Sequence, residues 1–300
     1  AALLEEVAKD KDAVMQAGLV EPLLGAMRRH LPVQQAQLLC ARIVCHACLF
    51  HAANGQAFGA AGAVECLLAA LRQHPAELEL QAEAISALGC LCDFVPENKA
   101  AVLDGGGLEL MLAFLHRHPD ALDAHWRVFA TASAVASGCP AHHVAFLEAG
   151  MVERGAAAMR EHPRAMRLRE EVVQLYNALA PSAHAALLQA GAVELVATAL
   201  REEPDDKKLA ANACLFFAQM AHHCGEARDP IIAAGAIDLI VAAIRQFPPT
   251  GDDSVWNVTQ HAVHALLALG IDIGDQGGRW AWRRSRGAAR RRGCRRLRGP

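Results

Sequence analysis

The chain has 300 residues, 53% of them hydrophobic but only 5% aromatic, and a net charge of −3. Its length exceeds what one globular core usually supports, and the alanine- and leucine-rich, aromatic-poor composition argues for an all-helical chain with close helix approaches. The charge is uneven: residues 279–300 carry ten arginines and no acid, which leaves −13 on residues 1–278 when those ten are taken from the net −3.

In chain order, residues 1–8 match the end of a helix that recurs complete further on, so the sequence is expected to begin inside a repeat. From Lys9 onward the pattern is regular. Equivalent glycines stand at Gly18, Gly62, Gly106, Gly150, Gly191 and Gly235, separated by 44 residues four times and by 41 once. A period of this length predicts a solenoid of stacked units. Each unit reads as a short helix ending at the glycine, a second helix of about three turns, a break and a longer third helix. The glycine supplies the positive φ that closes one helix and redirects the chain. Three residues later comes an acid (Glu21, Glu65, Glu109, Glu153, Glu194, Asp238), placed for the positive end of the second helix. Ten residues after the glycine comes a base or histidine (Arg28, Arg72, His116, Arg160, Arg201, Arg245), suited to the other end. Together these charges read as a solvated outer surface.

Twelve residues after the glycine stand His30, His74, His118 and His162, followed by or close to a proline, so the second helix ends there. They read as solvated helix-terminal histidines. Ala180-Pro181-Ser182 shortens the fourth repeat, predicting a local change in superhelical pitch. Pro248 to Asp253 reads as an inserted solvated loop in the sixth. The stretch from Val128 to Leu147 has the length of a membrane span but contains Gly138, Pro140, His142 and His143, which excludes that reading. No basic region followed by an apolar stretch suggests secretion, and the ten cysteines lie mostly within apolar helical patterns. A reducing cytoplasmic setting is expected, with the nucleus as the alternative.

With three helices per unit, the recurrent Ala-Gly-Ala-Val/Ile, and the stretch from Ala84 to Cys92 followed by Pro96 to Gly106, residues 9–270 resemble the armadillo-repeat family. The resemblance implies an all-α, right-handed superhelical solenoid of stacked armadillo-like three-helix repeats over residues 1–270; residues 271–300, where the period stops, read from composition as an arginine-rich, disordered tail. It also implies a protein-binding groove along the third helices. In the nuclear-import adaptors of this family, asparagines and tryptophans on successive third helices hold an extended peptide. The positions matching the asparagine are His46, Cys90, Ala134, Ala178 and Gln219, and those matching the tryptophan are Arg42, Ser86, Ala130, Gln174 and Leu215. Neither ladder is present, so a groove of different specificity is expected, drawing on Arg42, His46, Ser86, Trp126, Glu170, Gln174, Leu215 and Gln219. Trp126 reads either as an anchor for a partner or as packing against the next repeat.

Cys45, Cys48 and His51 are three apart, a spacing that can set two thiolates and an imidazole on one helix side. Without a well-placed fourth ligand they read as two core cysteines and a loop histidine, and no metal or cofactor is expected. The adjacent His222, His223 and Cys224 point apart on a helix. No phosphate loop, nucleophile elbow or paired-carboxylate cleft is visible. The chain reads as a monomeric, non-enzymatic scaffold for a protein or peptide segment. The alternatives are nucleic-acid or transport-related binding through the arginine tail, and a regulatory region of a longer protein.

Overall fold

The computed structural model describes residues 11, 13–248 and 257–271, and all secondary structure among them is helical. The start of the chain, the insertion after Pro248 and the arginine tail, on which three of the expectations above fall, lie outside the described residues.

The first repeat comprises α1 (Ala13–Gln16), α2 (Val20–Arg29) and α3 (Gln34–Cys48). The second comprises α4 (Ala52–Ala60), α5 (Ala63–Gln73) and α6 (Leu78–Cys92), and the third α7 (Pro96–Asp104), α8 (Gly107–Arg117) and α9 (Leu122–Ala136). A 3₁₀ turn and α10 (His143–Glu148) open the fourth, followed by α11 (Met151–Glu161) and α12 (Met166–Gln189). Then come α13 (Ala192–Glu202), α14 (Lys207–His223), α15 (Arg228–Ala233), α16 (Ala236–Gln246) and α17 (Val258–Ala268). No single helix among the described residues is long and apolar enough to cross a membrane.

All six joint glycines adopt positive φ, from +63° at Gly18 to +89° at Gly62. The second helices end where the histidines predict: His30, His74 and His118 are the C-terminal caps of α2, α5 and α8. Glu203 and Phe247 do the same for α13 and α16, so this boundary is set by backbone geometry and not by histidine. The acids fall in the first turn and the bases in the last, as the macrodipole favours. At the shortened repeat, the third helix of repeat four and the first of repeat five run together as α12, kinked at Ala183 just after Pro181. A proline within a helix removes one N–H and bends the axis. Here that bend replaces a connecting loop.

The chain divides into two compact units. The first is residues 1–155 with 165–178; its third helices α3, α6 and α9 pack side by side, and Leu38, Val44, Leu80, Ile85, Leu88, Val128 and Phe129 are almost fully buried. The second is residues 156–164 with 179–300, where α14 packs along α17 around Phe216, Phe217 and Met220.

Two series of buried polar side chains tie these helices together. The last carbonyls of an α-helix have no N–H partner within it. Gln37 of α3 donates from Nε2 to the carbonyls of Met27 (2.9 Å) and His30 (2.9 Å). Gln81 of α6 does the same to Leu71 (2.7 Å) and His74 (3.0 Å), and the His125 ring bonds the His118 carbonyl at 2.8 Å. Thr259 takes this part in the second unit, 3.3 Å from the Phe247 carbonyl. A second series closes the ends of the third helices from seven residues downstream. Asn54 donates to Ala47 (2.8 Å), Asn98 to Leu91 (2.7 Å), and the His143 ring bonds Ala136 (3.1 Å). Asn98 also reaches the Gly55 carbonyl in the preceding repeat at 3.0 Å. Thus one amide joins three helices.

The joint arginines are not merely a solvated surface, as the charge pattern suggests. Four of them cross to the next repeat and donate to the carbonyl just before its joint glycine: Arg28 to Ala61 (2.7 Å), Arg72 to Gly105, Arg160 to Ala190 (2.5 Å) and Arg201 to Ala234 (3.0 Å). Arg160 reaches 30 residues ahead where the others reach 33, because its repeat is three residues shorter. The histidine row is likewise less solvated than its helix-terminal position implies. The His74 ring bonds the Leu31 carbonyl at 2.7 Å and His118 lies 3.4 Å from that of Pro75, both one repeat back.

Candidate functional site

The third helices present a half-exposed row between their buried faces. In the first unit that row is a connected set of charges. Arg42 of α3 pairs with Glu79 of α6 and lies 4.0 Å from Glu83. Glu83 is also 3.4 Å from Arg127 of α9, which donates at 2.7 Å to the hydroxyl of Ser86. The side chains of Glu83 and Arg127 are only 18% and 25% exposed, whereas Glu79 is 62% exposed, so the Glu83–Arg127 pair is the better shielded from solvent.

Of the residues expected from sequence, Arg42 and Ser86 are therefore brought into one network, through Glu79, Glu83 and Arg127. Trp126 lies beside it on α9. The Arg167 guanidinium of α12 stacks over the indole at 3.3 Å from the ring centroid, and that of Arg127 lies at 5.0 Å. The tryptophan thus packs against the next repeat through a cation–π contact, while remaining half-exposed. Glu170 and Gln174 follow on α12, half-buried, and His46 is exposed on α3. Leu215 and Gln219 belong to the second unit, on α14; both are half-buried, and the Gln219 amide oxygen lies 3.1 Å from the His223 ring.

The cysteine and histidine trio does not assemble as its spacing allows. His51 caps α4, its Nδ1 accepting from the Asn54 amide at 3.3 Å. Cys48 is buried, which pushes its thiol far up. Cys45 meets Cys90 of α6 instead, sulfur to sulfur at 3.6 Å. Among the described residues no group of three or more metal-ligating side chains is placed around one point.

Glu79, Glu83, Arg127 and Arg167 were missed by sequence reasoning, yet the period held a signal. Glu83 and Arg127 are 44 residues apart, as are Arg42 and Ser86. Equivalent or adjacent rows carrying opposite charge in consecutive repeats are the mark of an inter-helix ion pair.

A pocket of about 450 Å³ lies elsewhere in the first unit, lined by Leu112, Ala113, Leu115, His116, Ala149, Gly150 and Arg154. It sits at the joint where the bridging position is His116 instead of arginine.

No protein-family model matches the sequence, and no curated protein matches it. Solved structures do. A designed armadillo repeat protein is similar at 19% identity with a TM-score of 0.70, covering 83% of this chain and 99% of that one. Another, in complex with the peptide (KR)4, is 18% identical with a TM-score of 0.68 over 83% of this chain and 99% of that one. A chain from work on the interaction between cadherin and beta-catenin is 17% identical with a TM-score of 0.67; 89% of this chain aligns with 48% of it. The likeness shows an armadillo-like repeat fold.

Proposed function

We propose that the chain is a protein-binding scaffold that does no chemistry and holds an extended segment of a partner along the row of third helices. The observation that carries this reading is the linked set Arg42–Glu79–Glu83–Arg127–Ser86, with Trp126 beside it. Fold likeness adds support, since one similar structure is a designed armadillo protein with a bound peptide.

Asparagines that would grip any peptide backbone are missing from the matching positions, so selectivity rests on side chains. Arg42, Glu79 and Glu83 offer paired charges of both signs, which favours a partner segment alternating polar and apolar residues over a run of like charge. Trp126, half-buried with Arg167 stacked over its ring, offers its remaining surface beside them. A cytoplasmic or nuclear location and a monomeric state belong to the same proposal.

The test is selection of binders from a random-peptide display library, followed by titration against the native protein and a variant combining Arg42→Glu, Glu170→Arg and Trp126→Ala. At least a hundredfold loss of affinity is expected, about 3 kcal/mol, with unchanged helicity. Selected peptides that bind both proteins equally would place the binding surface elsewhere.

A further inference from the structure

We propose that Cys45 and Cys90 form a redox modification site, in which a hydroperoxide oxidises the pair to a reversible disulfide joining the third helices of the first two repeats.

The two sulfurs are already 3.6 Å apart, close enough for one S–H to hydrogen-bond the other sulfur. They come from α3 and α6, neighbouring helices that pack along their length. A disulfide needs about 2.05 Å, so the sulfurs must approach by about 1.5 Å, within the reach of χ1 adjustment and a small helix shift. The ring closed by the bond would span residues 45 to 90. Most cysteines in this chain are shut into the core: Cys48, Cys92 and Cys214 are at most 1% exposed. Cys45 and Cys90 are half-buried, not shut into the core, on the same side of their helices as Arg42 and Ser86, so a small oxidant can reach them.

The environment also separates their roles. The hydrogen bond between the two sulfurs, in which either can donate, and the nearby Arg127 hold the Cys45 thiol below its ordinary value. The hydrogen bond to Cys45 pushes the Cys90 thiol up, and burial and the repulsion between two neighbouring thiolates add to it. Cys45 is therefore the attacking sulfur and Cys90 the resolving one. In the first step the Cys45 thiolate attacks one peroxide oxygen, the O–O bond breaks, and Cys45 becomes a sulfenic acid as hydroxide leaves and takes up a proton. In the second step the Cys90 sulfur attacks the sulfenyl sulfur, the S–O bond breaks, and the Cys90 proton leaves with the hydroxyl as water. Two thiols and one hydrogen peroxide give one disulfide and two waters. A thiol reductant reverses it by exchange.

The test is to treat the reduced protein with hydrogen peroxide, alkylate, digest and map by mass spectrometry. A linked peptide pair containing Cys45 and Cys90, about 2 Da lighter than the sum of its reduced parts, is expected, lost on treatment with dithiothreitol. Cys48, Cys92 and Cys214 should remain alkylated in the same digest. In Cys90→Ser, Cys45 should stop at the sulfenic acid and be captured by dimedone; in Cys45→Ser, Cys90 should stay alkylatable. Cys45 advancing to the sulfinic acid beside a free Cys90 thiol in the native protein would overturn the proposal. So would a Cys45–Cys48 link. Because the decisive mapping uses the native chain, a variant that folds poorly does not blunt the result.

Discussion

The joints between repeats and the row of third helices are built on opposite rules. At the joints the same parts recur: a glycine at positive φ, an acid three residues on, and, at four of the joints among the described residues, an arginine crossing to the next repeat's carbonyl. On the third helices one equivalent position carries Arg42, Ser86, Ala130, Gln174 and Leu215, five different side chains in five repeats. The joints must satisfy backbone geometry that is identical in every layer, which restricts them. The third-helix row need only leave the buried side of each helix intact, so it is free to vary. Repetition therefore marks what the stack requires, and divergence marks where a partner can be discriminated. That contrast predicts large stability effects where the repeated parts are buried and small ones for the varied row and for repeated parts open to solvent.

The sharpest break should come at Gln81, whose amide holds two carbonyls at the end of α5 while only 2% exposed. Gln81→Ala leaves both without that donor in a site closed to water, and is expected to cost about 2–3 kcal/mol. Ser86→Ala, five residues on in the same helix and on the varied row, is expected to cost no more than about 0.5 kcal/mol. Urea denaturation of both variants measures the difference. Equal costs would remove the distinction between the two regions.

A second effect turns on pH. His143 holds the Ala136 carbonyl in the place that Asn54 and Asn98 fill with an uncharged amide in earlier repeats. Burial lowers its tendency to protonate. The unfolded ring takes up a proton as pH falls below about 6.5, while the folded ring resists until lower pH. The stability it contributes is therefore present above about 6.5 and is lost as pH falls through the window down to the depressed folded value. Asp93 has the opposite sign: burial raises its carboxyl to about 6, so its contribution is present while it is protonated and is lost as pH rises from about 4 to about 6. His143→Asn should flatten only the first of these slopes. Melting temperatures of wild type and variant between pH 5 and pH 7.5 separate the two, since the Asp93 slope is common to both proteins.

These pairings explain which parts of the molecule the sequence exposes to reading. Helix boundaries follow from chemistry local to a few residues, such as the positive φ of Gly62 or the proline after His74, and they fall where expected. Gln37 and Gln81 are 44 residues apart within apolar helices, so the period singles them out as polar residues the stack needs. What they bond is set by helix packing and is not visible locally. Charge alone made the joint arginines look solvated, because a cation at a helix end is adequately explained by its own macrodipole. Only the spacing between repeats shows that each is also within reach of the next one's carbonyl. Cys45 and Cys90 escape even the period, being 45 residues apart and one place out of register. Their meeting depends on side-chain direction across two helices.

The smallest predicted effect is also the most direct test of the joint rule. His116 occupies the third repeat's bridging position, and the pocket of about 450 Å³ opens beside it, against Ala149 and Gly150. If an arginine crossing to the next carbonyl is what seals the other joints, His116→Arg should place a guanidinium toward Ala149 as Arg72 does toward Gly105. Such a bond is solvent-exposed, so the gain is expected to be only about 0.5 kcal/mol, and Arg72→Ala should lose a similar amount. Arg154 lines the same pocket, and its charge opposes a second guanidinium there. The result therefore weighs a repeated hydrogen bond against a local repulsion, and raising the salt concentration discriminates them. Screening weakens the repulsion between the two guanidinium groups, so His116→Arg should gain stability relative to wild type as salt rises. A variant that is destabilised at every salt concentration would mean that the third joint is sealed by another arrangement and that the arginine is not a general part of the stack.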